Sequence, residues 1–398
     1  MLGWDAVADV RWEHLFHAYG VAVDTPEYVR GLTSEDASER AAAVNHLYAA
    51  VLHQGTIYPA TAPVVRWVSG SLDACLGSET LVSVLEWLAD VAGSLAWLAE
   101  VEAPEPPDPV EVEAFFEHMA DEDDPEYEDV WGSPMVDVLM AGAVIELRQS
   151  APEVVNAILP LIGDPNPAVW KAAAWAAAEW SRSAPEELRA EVSAVIAQRL
   201  PLATDRNERA SVVLALGQAG GDVSAYLLDP DAAVSACAAL FVQTPQATGV
   251  LIDALTHPGQ VNSWFDSQDR PAFFPMHTRY TLLAEVIGRQ VTIEELLPAA
   301  VPLIAASHGG LAADSEWGPI LQLAFPDAGF RPGVRPPLPE RLTSAQRTVL
   351  EALAANESLW NPRDGNASLA RMKVGAPDDR TALLEYLRSE RRDPWRPR

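Results

Sequence analysis

Apolar residues recur at helical spacing along most of the chain. Between Ser38 and Leu52, the residues Ala41, Val44, Leu47, Tyr48 and Val51 fall on one helix face. Thr25-Pro26-Glu27 opens a shorter helix, since Pro suits the first helical position. Val64–Leu76 and Glu79–Leu98 are longer apolar helices. Val110–Met119, Met135–Gln149, Glu186–Leu200, Asp205–Leu216, Gly249–Thr256, Thr281–Arg289, Ile293–Ala306, Arg341–Asn356 and Arg380–Arg391 continue the series. Val10–Tyr19 reads as a short helix carrying Trp12, Leu15, Phe16 and Tyr19. Long alternating β-branched runs are missing, so the pattern predicts an all-α chain.

Polar punctuation sharpens this picture. In Leu161–Trp180 an apolar pair ends one helix, Asp164-Pro165-Asn166-Pro167 makes a turn, and an Ala-rich helix follows. Leu227-Leu228-Asp229-Pro230-Asp231-Ala232-Ala233-Val234 repeats the spacing from Asp164 to Val169, with leucines before it and alanines after it. Arg209 and Ala210 of Asp205–Leu216 stand in register with that pattern. Ser34 stands where Asp164 stands, ahead of the helix at 38–52. Gly55 suits the left-handed position that closes that helix, and Pro59 stops its continuation.

This helix–turn–helix pattern resembles the HEAT repeat, on Asp164, Val169, Ala172 and Ala173. The segments HAYG at 17–20 and LYAAVLHQGTIYPATAPVV at 47–65 resemble the opening of HEAT-repeat proteins of high-GC bacteria. The resemblance implies a right-handed α-α superhelix, a HEAT-like solenoid, and surfaces for binding in place of a shared reaction. Five segments are expected: N-terminal repeats at 1–100, an acidic Pro-rich linker and loop at 101–134, regular repeats at 135–256, an aromatic loop at 257–280, and C-terminal repeats with a helical cap at 281–398.

Charge narrows the function classes. The net charge is −30 over 398 residues, and phosphate binding needs a basic face, so nucleic acid is not an expected partner. A basic protein partner is. From Trp67 to Leu147 there is no Lys or Arg, while Asp121-Glu122-Asp123-Asp124 heads an acidic loop. Cys75 and Cys237 lie far apart in apolar helical contexts and read as buried thiols. The N-terminal stretch lacks a basic region followed by an apolar core, and Leu296–Ala306 is too short to span a bilayer, so a cytoplasmic protein without a membrane span is expected.

Four groups carry candidate chemistry. On the helix after Asp164, Lys171, Glu179 and Arg182 share one side with Trp175 at its centre, a charge-ringed aromatic suited to a partner contact. His53, Gln54 and Tyr58 form a polar cluster beside Gly55, either a brace or a ligand contact. Asp121, Glu122, Asp123 and Asp124 form a docking surface for a basic partner or a solvated loop. Trp264, Phe265, His277 and Arg279 have the composition of a pocket lip for a planar ligand or a peptide. No phosphate-binding, hydrolase-elbow or zinc-protease motif is present. HEAT-type di-iron hydroxylases use His-Glu dipeptides, whereas Glu13-His14 and Glu117-His118 run in reverse order, so no metal or cofactor is expected. The reading is a non-catalytic protein-binding module, of immunity or antitoxin type, masking a basic partner. The alternatives are an enzyme or ligand-binding protein of secondary metabolism with a pocket near 264–280, and a structural scaffold.

Overall fold

The computed structural model describes residues 9–75, 77–98, 102–121, 127–266, 270–274, 276–310, 312–332 and 334–391, excepting the side chains of 128, 390 and 391. The chain is predominantly helical, in line with the all-α expectation. It divides into two compact units, Met1–Asp222 and Val223–Arg398. That boundary falls inside the segment 135–256 that the repeat pattern treats as continuous. It follows Gly220 and Gly221. Gly220 sits at φ +82°, and a Cβ on Gly221 would meet Leu216 Cδ1 at 2.4 Å, so the chain turns sharply here.

The first unit opens differently from the pattern at Val10–Tyr19. In place of a helix, Trp12–His14 is a single tight turn, and β1 (Phe16–His17) pairs antiparallel with β2 (Gly20–Val21). Two causes are visible. Gly20 takes φ +113°, a conformation a helix cannot use. The backbone also finds partners elsewhere: Ala18 N donates to Ala50 O (3.1 Å) and Ala60 N to Phe16 O (3.2 Å).

Helices α1 (Thr25–Arg30), α2 (Ala37–His46), α3 (Thr61–Ser69) and α4 (Ser78–Trp97) follow. After α2 the chain widens into one π turn over Leu47–Val51, where Leu52 N reaches back to Leu47 O (2.9 Å). Next come α5 (Pro109–Met119), the single turn α6 (Tyr127–Val130) inside the expected acidic loop, and α7 (Pro134–Ile158). The unit ends with α8 (Pro167–Ser181), α9 (Glu186–Ala197) and α10 (Arg206–Gln218).

The core of this unit is the packing of α4 on α8. Ala172, Ala173, Ala174, Ala176, Ala177 and Ala178 are all buried, and such small side chains let two helices approach closely. Trp180 Nε1 donates to Leu88 O (2.8 Å), and Trp87 Nε1 to Leu47 O (3.0 Å). Each buried indole thus adds a directional bond to its apolar burial. Among the described residues, α4 is the helix long and apolar enough to cross a membrane. Its Val84, Leu85, Trp87, Leu88 and Val91 are buried inside this unit.

One device recurs at three helix entries. Asn166 N donates to Asp164 Oδ1 (2.7 Å), and Ala168 N to Asn166 Oδ1 (3.0 Å). Asp231 N donates to Asp229 Oδ1 and Ala233 N to Asp231 Oδ1, both at 2.9 Å. Asp36 N donates to Ser34 Oγ (3.1 Å) and Ser38 N to Asp36 Oδ1 (2.7 Å). In each case one side chain shapes the turn and the second, two residues on, caps the helix.

The second unit contains α11 (Ala232–Ala239), α12 (Pro245–Leu255), the short α13 (Pro258–Asn262), α14 (Thr278–Gly288) and α15 (Ile293–Ala306). The turn α16 (Ala312–Ser315), α17 (Trp317–Ala324), α18 (Ser344–Ala355), α19 (Gly365–Lys373) and α20 (Arg380–Arg391) complete it. Reciprocal capping boxes start α15 (Thr292 with Glu295) and α18 (Thr343 with Gln346). α18 packs on α15, and Asn356 Nδ2 ties the two by donating to Ile304 O and Ser307 O, both at 2.8 Å.

Candidate functional site

Of the stripe expected on α8, Glu179 and Arg182 are in contact, and Glu179 also joins polar residues of other elements of the first unit. Trp175 and Lys171 are half-buried. Glu179 is buried, takes Arg182 Nη1 at 3.1 Å, and accepts Gln218 Nε2 of α10 at 2.7 Å. Glu86 and Asp90 of α4 belong to the same group, and the Tyr48 hydroxyl from the π turn is hydrogen-bonded to Asp90.

The electrostatics of this group are unusual for an acidic protein. Glu86, Asp90 and Glu179 all titrate above the ordinary carboxylate range, in each case chiefly through desolvation. Asp90 adds repulsion at both Glu86 and Glu179, while Arg182 and Gln218 partly offset the effect on Glu179. The Tyr48 phenol is pushed up by burial and then by the charges of Asp90 and Glu86. Glu86 and Asp90 are nevertheless solvent-accessible. Carboxylates that water reaches while surrounding protein desolvates them give an arriving cation more to neutralise than freely solvated ones do.

Sequence reasoning singled out Lys171, Trp175, Glu179 and Arg182 and did not include Tyr48, Glu86, Asp90 and Gln218, which lie beside Glu179 or Asp90. A signal was available. Glu86 and Asp90, four residues apart, are the only charges in the apolar run from Leu81 to Trp97.

His53, Gln54 and Tyr58 form the corner that fastens the β1–β2 hairpin. His53 Nδ1 donates to Ala49 O (2.9 Å), as expected of a histidine near a helix end. Its ring meets Tyr19 edge-on at 5.7 Å. Gln54 itself takes a left-handed conformation, φ 51°, ahead of Gly55 at φ 79°, which costs a non-glycine residue conformational energy. Tyr58 packs edge-on against Phe16 at 6.2 Å, and its hydroxyl titrates high, mainly from burial.

Next to this corner, ring nitrogens of His17 and His46 and a carboxylate oxygen of Asp24 lie within 4.8 Å of one another, close enough to hold a metal ion. The hydrogen bonds argue for another role. Tyr19 N donates to His17 Nδ1 (3.2 Å), which puts the neutral ring's proton on Nε2, facing Asp24 Oδ1 at 3.0 Å. A metal on Nε2 would require a proton on Nδ1, against the Tyr19 N–H. His46 Nε2 pairs with Thr25 Oγ1 (3.0 Å), and its ring stacks on Tyr28 at 4.3 Å. His46 is buried, and desolvation depresses its pKa to about 4, Asp24 partly opposing and His17 reinforcing the effect. The trio is a hydrogen-bonded brace. His14 pairs with Glu113 (3.0 Å) and stacks on Phe116 at 5.6 Å.

In the acidic insertion, Asp121 is exposed, and Glu122, Asp123 and Asp124 lie outside the described residues.

The aromatic stretch of the second unit is only partly what its composition suggests. Trp264 is buried, and Phe265 stacks on Phe274 at 5.8 Å, so these rings serve packing more than a lip. They are large apolar surfaces between prolines, with a core within reach. His277 and Arg279 do line a cavity of about 640 Å³, with Arg270, Tyr280 and His308. Arg279 is fixed from behind by the fully buried Glu316: Nε lies 2.6 Å from Oε1, and Nη2 donates to Oε2 at 3.2 Å. Ser307 Oγ also donates to Glu316 Oε2.

No family model matches the chain, and no curated protein matches it.

Proposed function

We propose that the chain is a HEAT-like helical array, a right-handed solenoid, that binds a basic protein partner through the acidic face of its first unit. The same turn-and-cap device at Ser34, Asp164 and Asp229 supports a repeat origin for the helical pairs. The observation that carries the binding role is the cluster of Glu86, Asp90 and Glu179, each disfavoured as an anion by its surroundings. An arriving Arg or Lys relieves that penalty, and Trp175, one helical turn from Glu179, offers apolar surface beside it. In this reading the protein acts in the cytoplasm, without catalysis, as an immunity or antitoxin-type protein that masks a basic effector.

The test uses fluorescence polarisation with labelled Arg/Lys-rich peptides, on wild type and on the triple variant Glu86→Gln, Asp90→Asn, Glu179→Gln. Circular dichroism checks that the helices are retained. Wild type should bind with an affinity that falls steeply with salt, and the variant at least about tenfold more weakly. Equal binding by both proteins, or no salt-sensitive binding to wild type, would overturn the assignment.

A further inference from the structure

The cavity of the second unit is lined by charge of the opposite sign to the net charge of the chain. In a chain of net charge −30, its lining includes Arg270, Arg279, His277 and His308, and among the described residues none that lines it is acidic. Arg279 is 6 % exposed, yet it reaches the cavity wall. Burying a guanidinium is costly unless it is paired, and here Glu316, itself fully buried, holds two of its nitrogens from the far side. Ser307 fixes that carboxylate in turn, its hydroxyl donating to Glu316 Oε2. Tyr280 lies under the guanidinium, with Cζ 5.4 Å from the ring centroid. The result is a cationic fork whose position is set before any ligand arrives.

The other cations are placed around it. Arg270 Nη1 donates to Met276 O (3.0 Å), fastening the segment that carries His277. His277 meets Tyr280 edge-on at 5.1 Å, and its pKa is lowered by desolvation and by the charges of Arg279 and Arg270. Desolvation is the larger cause, and the two guanidinium charges add to it. Met276 and the Tyr280 ring supply apolar wall.

We infer that this cavity is a binding site for small anions, a carboxylate or phosphate carried on a flat or apolar body. The anion sits against Arg279, Arg270 and His308, and the body lies along Tyr280 and Met276. Ion pairs and charge-assisted hydrogen bonds at a guanidinium favour carboxylates and phosphates over neutral ligands, and the volume suits a small molecule. The inference is independent of the partner-binding role assigned to the first unit.

The experiment is isothermal titration of the full chain with inorganic phosphate, benzoate and benzylamine. Benzoate and benzylamine share a ring and differ in charge. Benzoate should bind, phosphate more weakly, and benzylamine not at all. Arg270→Ala and His308→Ala, both at exposed positions, should each weaken benzoate by about tenfold, with helicity retained by circular dichroism and, for His308→Ala, an unchanged melting temperature. Binding of benzylamine as tight as benzoate, benzoate binding unaffected by both variants, or no anion binding to wild type would each overturn the assignment.

Discussion

Acid should loosen the first unit through His46, and the size of the effect follows from its surroundings. The ring is buried, stacked on Tyr28 and hydrogen-bonded to Thr25. Its pKa falls from 6.5 to about 4 on burial in this corner. Each pKa unit between folded and unfolded forms corresponds to about 1.4 kcal/mol, so His46 contributes a pH-dependent change of about 3 kcal/mol. The sign is fixed by proton counting. Between about pH 6.5 and pH 4 the unfolded chain carries a proton on this ring and the folded chain does not. Stability is therefore complete above the unfolded pKa and is lost as pH falls toward 4. Glu86, Asp90 and Glu179, whose pKa values are raised, act in the opposite direction, gaining stability as they are protonated. A raw stability profile mixes the two signs, so the measurement must be a difference. His46→Gln keeps a hydrogen-bond acceptor toward Thr25 and removes the titration. Urea unfolding, read by the fluorine NMR signal of fluorotryptophan at Trp87 in the same unit, would be run on both proteins from about pH 7 to about pH 4. Wild type should lose about 3 kcal/mol relative to the variant across that range. Parallel profiles, or a His46 ring proton titrating near its ordinary value in the folded protein, would refute the reasoning.

Three further outcomes are expected. Trp175→Ala should weaken binding of basic peptides while leaving helicity and melting temperature nearly unchanged, because the ring is only half-buried; a large drop in melting temperature would mark it as core. Trp180→Ala should cost the first unit about 3–5 kcal/mol in urea unfolding, since it removes a fully buried indole and its bond to Leu88 O. Gly318→Ala should destabilise the second unit by about 2 kcal/mol or more, because a Cβ there would stand 2.0 Å from Ala313 O; unchanged thermal unfolding would show that the α16–α17 turn relaxes freely.

The helices were legible because their signals are local. Apolar spacing locates α4 and α8, and the Asp164-to-Val169 spacing repeated at Asp229 marks two turns that share their hydrogen bonds atom for atom. Even Ser34, matched on position alone, proved to make the same pair of bonds with Asp36. What was not legible depends on partners distant in sequence. The periodicity of Trp12, Leu15, Phe16 and Tyr19 suits a helix, but Ala50 and residue 60 claim that backbone for a hairpin. Trp264 looks like a ligand platform until the core that covers it is in place. The site in the first unit was half visible. Trp175 and Glu179 share a helix, whereas Tyr48, Glu86, Asp90 and Gln218 come from three other segments, and only packing makes them neighbours.

The turn device has a consequence for the meaning of the molecule's negative charge. At the capping position the three turns carry Asp36, Asn166 and Asp231, so an amide and a carboxylate are interchangeable there. What the helix needs first is an oxygen lone pair at a fixed offset, and a charge adds to it, as the bonds from Ser38 that hold the Asp36 carboxyl below its ordinary value show. The acidity of the chain thus has two separable parts. At a helix entry such as Asp36 the surroundings favour the charge, while Glu86, Asp90 and Glu179 hold charge that the architecture opposes. A version of this protein with amides at its capping positions would show how much of the attraction for a basic molecule comes from Glu86, Asp90 and Glu179 and how much from the general field.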